Sequence, residues 1–228
     1  MRTERLTIAV PGHLSVSAVL VAPKQARACY VMAHGAGAGM EHPFMAAVAA
    51  GLAERGVATL RYQFPFMEQG SKRPDRSAVA YATVRAAAAA AARLMPNVPI
   101  IAGGKSFGGR MTSQAEAETP MEGVRGLAFF GFPLHPAKKP SDERARHLAD
   151  VQIPMFFLQG TRDALADTAV LLPAIERLGA RATLKLIEDA DHSFHVPARS
   201  GRTDGEVLEG ALHDLEEWVD TLVRHGPR

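Results

Sequence analysis

The sequence predicts an α/β fold, with a mostly parallel sheet of eight strands and helices on both faces. Three observations carry that expectation. Short apolar or alternating runs of strand length recur along the chain, and longer helical segments intervene after the third run. The first two runs are separated only by a short Pro-Gly turn. Alternating strands and helices require crossover connections, which build a parallel sheet covered on both faces.

Runs at 5–10 and 15–21 flank Pro11-Gly12-His13-Leu14 and read as an antiparallel hairpin. A third strand at 28–33 precedes a helix over 42–55 and a strand at 57–62. The helix expected over 75–95 contains an alanine run from Ala86 to Ala92, bracketed by Arg85 and Arg93. Alanine is the best helix former, so the run predicts a closely packed helix rather than low complexity. Pro96 and Pro99 end it before a strand at 98–102. Helices over 106–118, 165–178 and 205–224, with a short one at 141–149, then alternate with strands at 124–130, 154–159 and 182–187.

With 228 residues, the chain is expected to form one domain over 1–228. The 26 basic and 24 acidic residues leave a net charge of +2, too even a balance for a nucleic-acid footprint. No stretch approaches 18 apolar residues and the N-terminus lacks the apolar region of a signal peptide, so a soluble, cytoplasmic protein without a membrane partner is expected. The single cysteine, Cys29, lies in an apolar run and reads as a core residue rather than a reactive thiol. Histidines and acids lack metal-ligand spacing, so neither a metal nor another cofactor is expected. The sequence carries no signal for an oligomeric state.

Ser106 lies in Gly104-Lys105-Ser106-Phe107-Gly108, between an expected strand and helix. On such a turn a serine projects at the sheet edge, while glycines at 104 and 108 remove side chains that would collide with backbone. A serine hydroxyl needs a base, and the base needs an orienting group. His192 follows the last strand and is the first choice; His195, three residues on, is the second. Asp163, after the 154–159 strand, is the acid of choice, with Asp167 better suited to capping a helix. Two backbone amides would hold an oxyanion: Phe107, after the serine, and Ala36, in the turn His34-Gly35-Ala36-Gly37-Ala38-Gly39. That turn lacks a P-loop ending, and His34 is assigned to holding it.

The segments 63–76 and 132–147 follow strands and are expected to border the site. Phe64, Phe66, Met67, Leu134 and Phe194 are candidates for an acyl pocket, with core packing the competing role. Arg110 and Lys105 could form a cationic rim; the alternative pairs Arg110 with a carboxylate and leaves Lys105 solvated.

With these residues in place, the chain resembles the α/β-hydrolase superfamily over nearly its whole length, and above all its small dienelactone-hydrolase-like members. The nucleophile there is often cysteine, where this chain has serine. Gly104-Lys105-Ser106-Phe107-Gly108-Gly109-Arg110, Phe132-Pro133-Leu134-His135-Pro136 and Gln159-Gly160-Thr161-Arg162-Asp163 are similar to the branch containing the testis-expressed and NSL-complex-subunit proteins and their bacterial relatives. The resemblance implies the α/β-hydrolase fold with a minimal cap, a Ser-His-Asp triad and the two oxyanion positions. The expected activity is that of a serine esterase on a small-molecule acyl substrate: an ester, thioester or lactone. The alternative is a non-catalytic binding or scaffold module on the same fold.

Overall fold

A computed structural model describes residues 1–224; the last four residues of the expected 1–228 domain lie outside the described residues. Its sheet is built from β1 (Arg2–Ile8), β2 (Val16–Ala22), β3 (Ala28–Ala33), β4 (Val57–Tyr62), β5 (Ile100–Lys105), β6 (Val124–Phe130), β7 (Met155–Gly160) and β8 (Ala182–Ile187). These lie in the order β1-β2-β4-β3-β5-β6-β7-β8, an open sheet of eight strands. β1 pairs antiparallel with β2, as does β2 with β4, and every other pairing is parallel.

Strand alternation divides the apolar residues between two faces. From β3, Cys29, Val31 and Ala33 enter one core while Ala28, Tyr30 and Met32 enter the other. Helices α3 (Ser77–Leu94), α4 (Phe107–Glu118) and α5 (Thr168–Glu176) cover the first core, in part through Ala80, Ala87 and Ala91 of the alanine-rich helix. Helices α1 (Pro43–Glu54) and α6 (Asp204–Arg224) cover the second with Met45, Leu52, Leu212 and Trp218. Cys29 is fully buried, and burial pushes its thiol up to about 12, so it stays protonated. No described helix is long and apolar enough to cross a membrane.

Several boundaries differ from the sequence reading. The first strand runs over 2–8 rather than 5–10, because Arg2 to Ile8 pair in continuous register with Ala22 to Val16. Strand β5 continues past residue 102 through Gly103 and Gly104 to Lys105, in register with β3 and β6. Within 63–76 a short helix α2 (Pro65–Glu68) forms, and the expected 141–149 helix is a 3-10 segment, Glu143–Asp150. Helix α5 starts at Thr168 because the Asp167 side chain accepts from Ala169 N–H at 2.8 Å and caps it.

Parallel strands β3 to β8 deliver their carboxyl ends to one edge of the sheet. The residues that follow β3, β5, β7 and β8 are therefore neighbours there.

Candidate active site

Ser106 occupies the junction of β5 and α4, with φ 51° and ψ −115°. This is a rare conformation for a residue with a side chain, and it is imposed from both sides. Ser106 N–H donates to Phe130 O at 3.2 Å, while its carbonyl accepts from Arg110 N–H at 3.1 Å as α4 begins. The flanking glycines permit the turn. A Cβ on Gly104 would lie 2.1 Å from Ala33 O, and one on Gly108 would lie 2.6 Å from Ala33 O and His34 O.

The three residues chosen from sequence converge. Ser106 Oγ lies 2.8 Å from His192 Nε2, and His192 Nδ1 lies 2.7 Å from Asp163 Oδ2. The neutral tautomer that satisfies both contacts carries its proton on Nδ1, donates it to Asp163 and accepts from the serine hydroxyl. The Asp163 side chain is fully enclosed. Burial alone would raise its carboxyl, but the hydrogen bond and charge of His192, the Leu165 N–H and Lys105 outweigh it and hold the group below its ordinary value. His195 points elsewhere, to Asp204 at 2.9 Å.

Gln159, to which the sequence assigns no role in the site, is fully buried at the end of β7. Its amide donates to Asp163 Oδ2 at 2.5 Å, and its carbonyl oxygen accepts from Phe132 N–H at 2.8 Å. Lys105 is not solvated. Its Nζ donates to the His192 carbonyl and sits 5.2 Å from the Phe194 ring and 5.9 Å from the Phe44 ring. Burial pulls the ammonium down to about 8, against the opposing pull of Asp163 and Asp191.

The glycine-rich turn reaches the serine: a Cβ on Gly35 would lie 3.8 Å from Ser106 Cβ. Among the described residues, neither Ala36 N–H nor Phe107 N–H has a protein acceptor, which leaves both donors available beside Ser106. His34 fixes the turn. Its Nδ1 lies 2.8 Å from Gly35 O, and its Nε2 accepts from Phe64 N–H at 3.0 Å. Burial lowers the ring to about 4 against the hydrogen bonds to Gly35 and Ala38, so it is neutral near pH 7. His135 makes the same arrangement elsewhere, with Nδ1 2.9 Å from Pro136 O and Nε2 2.9 Å from Asp167 N.

Two cavities meet at Ser106 and Ala36. One, of about 310 Å³, is walled by Phe44, Met45, His192 and Ser193; the other, of about 400 Å³, by Phe107, Met111, Arg110 and Arg144. Phe64, Phe66 and Leu134 line neither cavity; of the two roles open to them, the structure places them in core packing. All three are buried in the core, where Phe64 and Phe66 pack on the Phe107 ring at 5.4 and 6.2 Å and brace it from below. Met67 packs on that core, and Phe194 is buried against Phe44 and Phe130. Arg110 does line a cavity, and no carboxylate pairs with it among the described residues. No described group of three or more histidines, cysteines or acids is arranged to hold a metal ion.

A mostly parallel open sheet, with a strained serine where a strand enters a helix and loops gathered at the strand ends, defines an α/β-hydrolase. The chain belongs to that family: the model of the alpha/beta hydrolase domain matches residues 26–220. Solved structures share the fold. Dienelactone hydrolase from Anabaena variabilis superposes with a TM-score of 0.75 at 22% identity, over 96% of this chain and 97% of its own. An α/β serine hydrolase homologue from Coxiella burnetii gives 0.72 at 19% identity, over 99% and 98%. An α/β serine hydrolase without a lid from Xanthomonas campestris gives 0.71 at 20% identity, over 98% and 94%.

Proposed function

We propose that the protein is a serine hydrolase that cleaves carboxylic esters, or related thioesters and lactones, through a covalent acyl-enzyme. The observation that carries this reading is the unbroken hydrogen-bonded chain from Ser106 Oγ through the His192 ring to Asp163, with contacts of 2.8 and 2.7 Å. The serine hydrolases among its structural relatives support the same reading.

His192 Nε2 takes the hydroxyl proton as Ser106 Oγ attacks the ester carbonyl, and the resulting imidazolium is stabilised by the Asp163 carboxylate. Negative charge develops on the carbonyl oxygen, where Phe107 N–H and Ala36 N–H donate to it. The tetrahedral intermediate collapses, the C–O bond to the alcohol breaks, and His192 gives its proton to the leaving oxygen. Water then repeats the sequence on the acyl-enzyme, with His192 again as base, releasing the acid and restoring Ser106.

Labelling by a fluorophosphonate and turnover of p-nitrophenyl acetate test the reading together. Modification at Ser106 is expected, and Ser106→Ala is expected to lose turnover by about 10⁶-fold if the three residues act as a unit. A folded protein whose Ser106 resists the probe, or a Ser106→Ala variant that keeps comparable turnover, would overturn it in favour of a binding module.

A further inference from the structure

We infer that the cavity between α4 and the 143–150 segment is a subsite for an acyl chain ending in a carboxylate, recognised jointly by Arg110 and Arg144. The inference rests on the ester-hydrolase reading above and names its substrate class.

The two cavities that share Ser106 and Ala36 are not equivalent with respect to the proton. In ester cleavage the leaving alcohol must receive a proton from His192, so it lies on the side of that ring. His192 and Ser193 line the cavity of Phe44 and Met45 and are absent from the other. With the carbonyl carbon at Ser106 Oγ, the acyl chain therefore extends into the cavity of Arg110 and Arg144.

The backbone positions that carry both cations are anchored there. Arg110 lies one turn beyond Ser106 on α4, and its backbone N–H caps the serine carbonyl. Arg144 comes from the 3-10 segment, which is tied to α4 by a 2.8 Å contact between His147 Nε2 and Ser113 Oγ. Among the described residues, neither Arg110 nor Arg144 forms an ion pair or a side-chain hydrogen bond, although both line the same cavity. Arg110 Nε is buried without a hydrogen-bond acceptor.

Other titratable groups do not supply the missing charge. Asp75 also lines the cavity, but one of its oxygens already accepts Phe66 N–H at 2.9 Å, and a single carboxylate faces two guanidiniums. His147 is neutral near pH 7, lowered to about 4 by burial and by the charge of Arg110. Burial and the charge of Arg144 both oppose the cationic form of Arg110, a cost that a bound anion relieves. A guanidinium presents a planar fork that matches a carboxylate. The cavity of about 400 Å³ has room for a short carboxyalkyl chain.

Monoethyl adipate and its neutral amide, ethyl adipamate, are equal in length and differ at the far end of the acyl chain. The protein is expected to favour the half-ester in kcat/KM by roughly tenfold to a hundredfold, the range of a hydrogen bond to a charged group. That ratio should fall toward one in Arg110→Gln and Arg144→Gln and recover in part in Arg110→Lys. A ratio near one in the unmodified protein, or a ratio that both glutamine variants retain, overturns the inference while the function reading stands. Should neither ester turn over, fluorophosphonate labelling separates the two: a Ser106 that resists the probe removes the function reading and the subsite with it. Where Ser106 does react, adipate should slow its labelling in the unmodified protein and not in the variants; no protection overturns the subsite alone.

Discussion

Gln159 Nε2 and His192 Nδ1 converge on one oxygen of Asp163, at 2.5 and 2.7 Å. The carboxylate is thus oriented by a side chain four residues before it on the same strand end. Because the Gln159 carbonyl oxygen also holds Phe132 N–H, the residue joins the ends of β6 and β7 as well as aiming the acid.

Gln159→Leu removes both contacts with little change in size. The buried Phe132 N–H is left unpaired and Asp163 loses a donor, so stability should fall by about 1–3 kcal/mol in a urea titration. If Gln159 is a positioning residue for Asp163, kcat for p-nitrophenyl acetate should fall by roughly tenfold or more with KM little changed. A fall in stability with kcat intact would make it a structural residue only.

The backbone of Ser106, at φ 51°, holds a conformation that costs of order 1–3 kcal/mol in a residue with a Cβ. Ser106→Ala keeps the Cβ and its strain, whereas Ser106→Gly removes them. The glycine variant is expected to melt above the alanine variant by about 2–4 °C, and calorimetry of the pair measures the difference. Equal melting temperatures would show that the strain does not exceed the roughly 0.4–1 kcal/mol by which the freedom of glycine favours the unfolded chain.

Stability should decline as pH falls from about 6.5 to about 4. His34 and His147 have ordinary values of 6.5 and are lowered to about 4 in the folded chain by burial. Above pH 6.5 both states are neutral at these rings. Between the two values only the unfolded chain binds the protons, so each step down in pH favours unfolding, and below about 4 the difference is constant. Asp163, lowered rather than raised, adds its own loss only below its ordinary 3.8. His147→Gln should flatten the decline between pH 6.5 and 4 in urea midpoints; an unchanged slope would count against the assignment.

Much of the fold is legible in the sequence because strand periodicity is local. The bounds 28–33, 57–62, 124–130 and 182–187 read from the chain coincide with β3, β4, β6 and β8. Strand β5 outruns the apolar run at 98–102 because hydropathy carries no signal across Gly103 and Gly104, which let neighbouring strands approach within the space a Cβ would fill. Ser106, Asp163 and His192 could be chosen because each follows a strand at the edge where parallel strands deliver their residues. Phe64, Phe66 and Leu134 could not be sorted, since an apolar side chain reads alike whether it lines a cavity or fills the core beneath it. Gln159 escaped because its role depends on which strand end lies next to it, a tertiary fact. Phe44, which walls a cavity from the start of α1, escaped for the same reason.

His34 and His135 each hold the carbonyl of the next residue with one ring nitrogen and receive an amide from a distant loop with the other. The loops around the serine are consequently stitched in pairs, 34–39 to the Phe64 segment and 132–136 to the segment before α5. An exchange of one loop for a foreign sequence breaks its stitch and frees the partner as well. Redesign of substrate preference in this scaffold therefore has to treat those paired segments as single units of replacement.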